Sequence, residues 1–145
     1  MAFIHVSGPA ATEGFPKLAS TAIAVGSVVA LRGSGYLSQA EVISVRIAGV
    51  AIKKVASGDD DFASTTVVPV IVPGEEDVFE ADVTGTATQG NVGRQFDLTK
   101  VTAGTAQNVD VGNTTYKVVT VVGFISASKV LVKFNGNYVY ANKAN

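Results

Sequence analysis

Near the C-terminus the run Lys129-Val-Leu-Val-Lys-Phe134 alternates in character at every step, and only an extended strand sorts such a run into two faces. Lys129, Leu131 and Lys133 fall on one side and Val130, Val132 and Phe134 on the other, so one face is expected to pack and the other to stay wet. The β-branched segment Tyr116 to Val122 predicts a strand before it, with its exit and a turn in Gly123 to Ser128. Asn135-Gly136 carries the type I′ signal, which predicts that the chain turns back into a strand over Tyr138-Val-Tyr140.

Shorter versions of this grammar recur upstream. Ser27 to Leu31 and Tyr36 to Gln39 read as two strands joined by the glycine-rich turn Arg32-Gly-Ser-Gly35. Val42 to Ile47 alternates, and Ala48-Gly49 leads into Val50 to Val55, which predicts another hairpin. The stiff side chains of Val42, Ile43 and Val45 disfavour a helix there. Ser57 to Asp61 is a polar turn, Thr86 to Arg94 a loop or crossover, Gln95 to Leu98 a short strand, Thr99 to Asn108 a loop, and Val109 to Val111 a brief pairing. Apolar residues that are mostly Val, Ala and Ile, with 15 Gly, 4 Pro and no Trp, fit many short strands better than long helices. The expected fold class is all-β: a small β-sandwich or partly open β-barrel of short antiparallel strands with an extended N-terminal arm.

Mid-chain, Val67 to Val72 is a β-branched run that Pro69 assigns to a sheet edge, because proline has no N–H to donate to a second neighbour. Pro73, Gly74, Glu75, Glu76 and Asp77 form a solvated tip, and Phe79, Ala81 and Val83 then alternate with Glu80, Asp82 and Thr84. The expectation is a β-hairpin over residues 67–85.

At 145 residues the chain fits one domain of ordinary size, although two small β modules sharing an interface also suit the length. Gly8-Pro9, Gly14 and Phe15-Pro16 interrupt the first segment, so residues 1–24 are read as an extended arm and 25–145 as a single β-rich domain. Phe3, Ile4, Val6 and Phe15 give that arm enough apolar surface to dock, a neighbouring molecule included.

The inventory for chemistry is thin. His5 is the only histidine, there is no Cys, and no Gly-x-Ser-x-Gly elbow occurs, so no catalytic residue is assigned and an enzyme is not expected. The runs Asp59-Asp60-Asp61 and Glu75-Glu76-Asp77 lack the spacing of a calcium loop and are read as solvated, with no metal and no cofactor. Gly90 to Arg94 lacks the Gly-Lys-Ser/Thr ending of a phosphate loop. A net charge of −1, with Lys and Arg scattered singly, gives no pull towards nucleic acid or anionic lipid. The apolar stretch Leu18 to Leu31 starts far from Met1 and is broken by Ser20, Thr21, Gly26 and Ser27, unlike a signal-peptide core. No stretch approaches the ~20 continuous apolar residues of a membrane helix. Tyr36, Tyr116, Tyr138 and Tyr140 could stack on sugars, but their places in strand patterns favour packing.

Several phrases together carry a family likeness: Gly26-Ser-Val-Val-Ala-Leu-Arg-Gly-Ser-Gly-Tyr-Leu-Ser-Gln-Ala40, Ala56-Ser-Gly-Asp-Asp-Asp61, Val67-Val-Pro-Val-Ile71, Val78-Phe-Glu-Ala-Asp-Val83 and Val92-Gly-Arg-Gln-Phe-Asp-Leu98. With Val121-Val-Gly-Phe-Ile125 and Lys129 to Phe134, the chain from about residue 26 to 136 resembles the capsid decoration, or cement, proteins of tailed bacteriophages. The resemblance implies a structural virion protein, made in the host cytoplasm and bound to the outer surface of an icosahedral capsid. Its partner would be the major capsid protein, it would self-associate as a homotrimer, and it would clamp the head against internal DNA pressure. Capsid or subunit contact is then expected at Phe3, Ile4, Val6 and Phe15. The alternative is a fibre-like or carbohydrate-binding module displayed on a larger particle.

Overall fold

A computed structural model describes residues 3–41, 46–102 and 104–140. Among the described residues the protein is nearly all β, with 45% in strands or bridges and no helix of seven residues or more. The described residues form eleven strands in order: β1 Phe3–Ser7, β2 Thr12–Pro16, β3 Val28–Leu31, β4 Leu37–Gln39, β5 Ile47–Ala51, β6 Val67–Ile71, β7 Val78–Thr84, β8 Gln95–Leu98, β9 Val109–Asp110, β10 Val119–Ser126 and β11 Lys129–Phe134.

They divide into two sheets. One has the order β1-β7-β11-β10-β8-β9, and a parallel pairing of Val83 with Val109 and Thr84 with Asp110 joins β7 back to β9. The five strands β7, β11, β10, β8 and β9 therefore close into a barrel, with β1 laid outside the ring. The second sheet has the order β2-β6-β5-β3-β4. It curls until Lys17, just past β2, bridges to Leu37 at the start of β4, with Leu18 N donating to Leu37 O at 2.8 Å.

Burial explains why β3 and β5 show no polar alternation. Val28, Ala30, Ile47 and Val50 pack into the cluster that also holds Phe79, Phe96, Leu98, Val119, Val121, Val130, Val132 and Phe134 of the barrel sheet. Their neighbours Val29, Ala48 and Ala51 point the other way, into a second cluster with Ile23, Leu37, Val55, Val68 and Val70. A strand covered on both faces reads as a continuous apolar run.

Several sequence expectations hold. β3 and β4 are the hairpin joined by the Arg32 to Gly35 turn, β8 and β9 lie where short pairings are expected, and β10 and β11 form the C-terminal hairpin. β11 alternates as read, with Val130, Val132 and Phe134 buried.

Others need correction. The segment expected to extend as an arm is folded in, with β1 antiparallel to β7 and β2 antiparallel to β6. Gly8 and Pro9 break the strand only between the two halves of this ribbon and leave each half free to pair. The predicted hairpin over 67–85 does not form, because β6 belongs to one sheet and β7 to the other, and residues 73–77 carry the chain between them. Nor is β6 an edge, since it lies between β2 and β5. The ladder bonds from Lys17 N to Thr66 O and from Val72 N to Ala11 O put Pro69 opposite Gly14 at a non-hydrogen-bonded position. On its other side Pro69 accepts a bond from Ile52 N at 3.1 Å, just past the end of β5, so the missing N–H costs one terminal ladder bond.

The hairpin turn expected at Ala48-Gly49 is also absent, and β5 runs straight through it. Gly49 has φ 147°, and a Cβ there would stand 1.9 Å from Ile71 O, so this glycine serves close strand approach and the bulge opposite β3, not reversal. Val42 to Val45, the first half of that expected hairpin, lie outside the described residues. Finally, Asn135-Gly136 leads into a 3-10 turn over Gly136–Tyr138 in place of a type I′ turn. Asn135 holds the chain back by donating to Lys117 O and accepting from Thr120 Oγ1, both at 2.5 Å.

Candidate contact surface

The register of the barrel sheet sorts the predicted contact residues. Phe3, Ala81 and Val130 share one row across β1, β7 and β11, which Phe124 of β10 extends to an exposed end, and His5, Phe79, Val132 and Val121 share another, both rows lying on the core side of the sheet. Between them runs the outward row Ile4, Glu80, Leu131 and Gly123. Leu131 lies across Gly123, where a Cβ would meet its Cδ1 at 3.0 Å.

Of the four residues expected to make contacts, Phe3 is therefore a core side chain, with its ring 5.6 Å from that of Phe134. Phe15 is half-buried and meets Tyr140 edge-on at 5.6 Å. Ile4 and Val6 remain on the surface, 40% and 51% exposed. Val6 is the extra residue of a bulge between His5 and Ser7, which turns it outward with Ile4.

The far side of the same sheet adds apolar surface, at Val122, the end of the expected strand, and at Phe124 and Ile125 in its expected exit and turn. β10 continues to Ser126, and Val122, Phe124 and Ile125 are all exposed, Val122 being the bulge residue opposite β11. Two bulges in β10, at Val122 and Ile125, break the alternation that would have marked these two side chains as outward. In the middle of the face Lys129 Nζ lies 3.1 Å from Glu80 Oε1 and 3.7 Å from Asp82 Oδ1. The Glu80 hydrogen bond and charge, helped by Asp82, raise the Lys129 amine above its ordinary value. The arrangement is apolar at both margins and ion-paired at the centre.

Asp77, expected to keep a turn wet, is 2% exposed and organises the base of β1. Its Oδ1 accepts from Ala10 N at 2.9 Å and lies 2.9 Å from His5 Nε2, while Oδ2 accepts from Gly74 N at 2.7 Å. Burial opposes its charge, but the backbone donors of Gly74 and Ala10, with the hydrogen bond and charge of His5, more than offset this and lower its pKa. Gly8, at φ 105°, closes over the carboxylate so tightly that a Cβ would stand 2.5 Å from Oδ1. Three adjacent acids gave no sign of which one turns inward.

Lys17 is a second unforeseen buried charge. It is fully buried, donates from Nζ to Phe62 O at 2.6 Å and Leu18 O at 3.0 Å, and lies 5.5 Å from the Phe62 ring centre. Desolvation lowers its amine below the usual lysine value, partly countered by the charge of Asp61.

A depression of about 500 Å³ lies beside Lys54, Asp82, Thr105 and Asn108, and a smaller one of about 250 Å³ adjoins it across Lys54 and Gly104. Among the described residues no three His, Asp or Glu side chains come together as a metal-binding group. Tyr116 and Tyr138 pack against one core and Tyr140 against the other, and Tyr36 is the exposed member of the four. No family model matches the chain, and no curated protein matches it either.

Proposed function

We propose that this chain is a structural, non-enzymatic virion protein that binds the outer surface of a phage capsid through the major capsid protein and stabilises the head, acting as a trimer. The observation that carries this reading is the outward face of the barrel sheet. Ile4 and Val6 at one margin and Val122 and Ile125 at the other flank the Lys129, Glu80 and Asp82 ion pairs on this β-surface. Such a face suits shape-based docking, in which apolar side chains drive association and fixed charges set the register. The phrase-level likeness to cement proteins adds the nature of the partner.

Because Phe3 is part of the core, removing the first strand would damage the fold, and point changes on the face are the sharper test. The double variant Ile4→Ser, Ile125→Ser keeps the buried rows intact. Mixed with expanded, undecorated heads of the cognate phage and sedimented, it is expected to stay largely in the supernatant while the parent protein pellets. Equal pelleting of the two proteins would overturn the assignment of this face.

A further inference from the structure

Residues 3–16 form a ribbon whose two strands sit at the margins of different sheets. β1 adds to β7 outside a ring that closes without it, and β2 adds to β6 at the end of the second sheet. Little but backbone holds them. In β1 and β2 only Phe3 is buried, His5 and Phe15 are half-buried, and the other strand residues are exposed. Segments with so few buried side chains open at the lowest free energy of any part of a fold. The ribbon also has a defined end, because the next residue, Lys17, is fully buried and tied to Phe62 O and Leu18 O.

We propose that this ribbon exchanges between copies of the chain, each copy's β1 and β2 completing the sheets of a neighbour, with the contact between His5 and Asp77 as its latch. The occupant of the vacated place is set by what that place demands. It needs an aromatic ring to meet Phe134, a side-chain donor and a backbone N–H for the Asp77 carboxylate, a second ring to meet Tyr140, and two ladders in fixed register. A second copy of residues 3–16 meets all of these at once. Every contact of the closed chain is remade in the exchanged one, so protein concentration sets the population and the latch sets the rate. The inference concerns the isolated protein and does not depend on the capsid reading.

The absence of cysteine allows a direct test. Ile4 and Glu80 face each other across β1 and β7, so the double variant Ile4→Cys, Glu80→Cys places one thiol on the ribbon and one on the body. Oxidised from a concentrated stock, exchanged molecules give chains joined by disulfides on a non-reducing gel, in excess of the background from Ile4→Cys alone. Unexchanged molecules give a linked monomer. Mixing isotopically heavy and light protein and following mixed-mass species gives the rate, which is expected to rise about tenfold when His5→Ala removes one bond to a charged group. Monomers alone at every concentration, or a rate unchanged by His5→Ala, would overturn the proposal.

Discussion

Gln107 completes the backbone pairing of Val28, a residue 79 positions earlier: its Oε1 accepts from Val28 N at 2.9 Å and its Nε2 donates to Val28 O at 2.9 Å. The same Nε2 also donates to Ala40 O at 2.7 Å, so one buried amide acts as a short strand segment between β3 and the end of β4. Gln39 works in the reverse direction, accepting from Ala24 N and donating to Thr102 O and Thr105 O. The two glutamines fasten the 99–108 loop to the second sheet from both sides.

Replacing Gln107 by Leu keeps the volume but strands the N–H of Val28 and the carbonyl of Ala40 in the interior, while Val28 O keeps its bond from Ala40 N at 2.8 Å. At ~1–3 kcal/mol for each buried group left unpaired, the loss is expected to be about 2 kcal/mol or more. Urea unfolding of Gln107→Leu and of the exposed-site control Gln89→Leu would measure it. A shift no larger than the control's would show that the 99–108 loop is not held by this residue.

Acid stability depends on Asp77. Its pKa is lowered in the folded protein, so the folded state binds the proton less readily than the unfolded chain does. Its contribution is therefore present above the unfolded value of about 3.9 and is lost as the pH falls through the lower folded value. Asp77→Asn is expected to be less stable than the parent near neutral pH and to converge with it in strong acid. Urea midpoints taken at steps across this range would show it, and two parallel curves would mean that Asp77 contributes nothing to the acid limb.

What could be read from the chain follows a physical line. Strands buried on one face, such as β11, declare themselves by alternation, and local turns such as Arg32 to Gly35 by glycine. Pairing partners do not. Val67 to Gly85 has every local mark of a hairpin, yet Val68 and Val70 enter one core while Phe79 and Ala81 enter the other, a choice made by distant residues. The exposure of Ile4 and Val6 was legible, because β1 alternates once Gly8 and Pro9 are seen as a break between strands. Asp77, Lys17 and Gln107 were not, since the bonds that make their burial tolerable come from backbone groups far away in sequence, such as Ala10 N, Phe62 O and Val28 N.

Tyr140 should titrate late. Burial, then the hydrogen bond it donates to Glu13 and the charge of Glu13, push its phenol up to about 12. A raised folded value means that the stabilisation is whole below the unfolded pKa of about 10 and disappears as the pH rises above it. In an ultraviolet titration one phenol should lag the others, and Tyr140→Phe should abolish the lagging component. If the late component survives in Tyr140→Phe, it belongs to another tyrosine.

Gly49 offers the most severe single change. Its φ of 147° lies where side chains are strained, and a Cβ would stand 1.9 Å from Ile71 O and 2.8 Å from Ile71 C. Those atoms are backbone of β6, which is held on its other side by β2, so the strand cannot retreat without breaking a ladder. Relief would require β5 to move away from β6 and carry Ala48 and Ala51 out of one core and Val50 out of the other. Gly49→Ala is thus expected to cost more than the roughly 1–3 kcal/mol of an ordinary overpacking substitution. It should lower the thermal midpoint sharply or prevent folding, whereas Gly33→Ala, at a turn where a Cβ meets nothing within 4 Å, should leave the midpoint nearly unchanged. Equal midpoints for the two variants would show that β5 and β6 do not approach as closely as described.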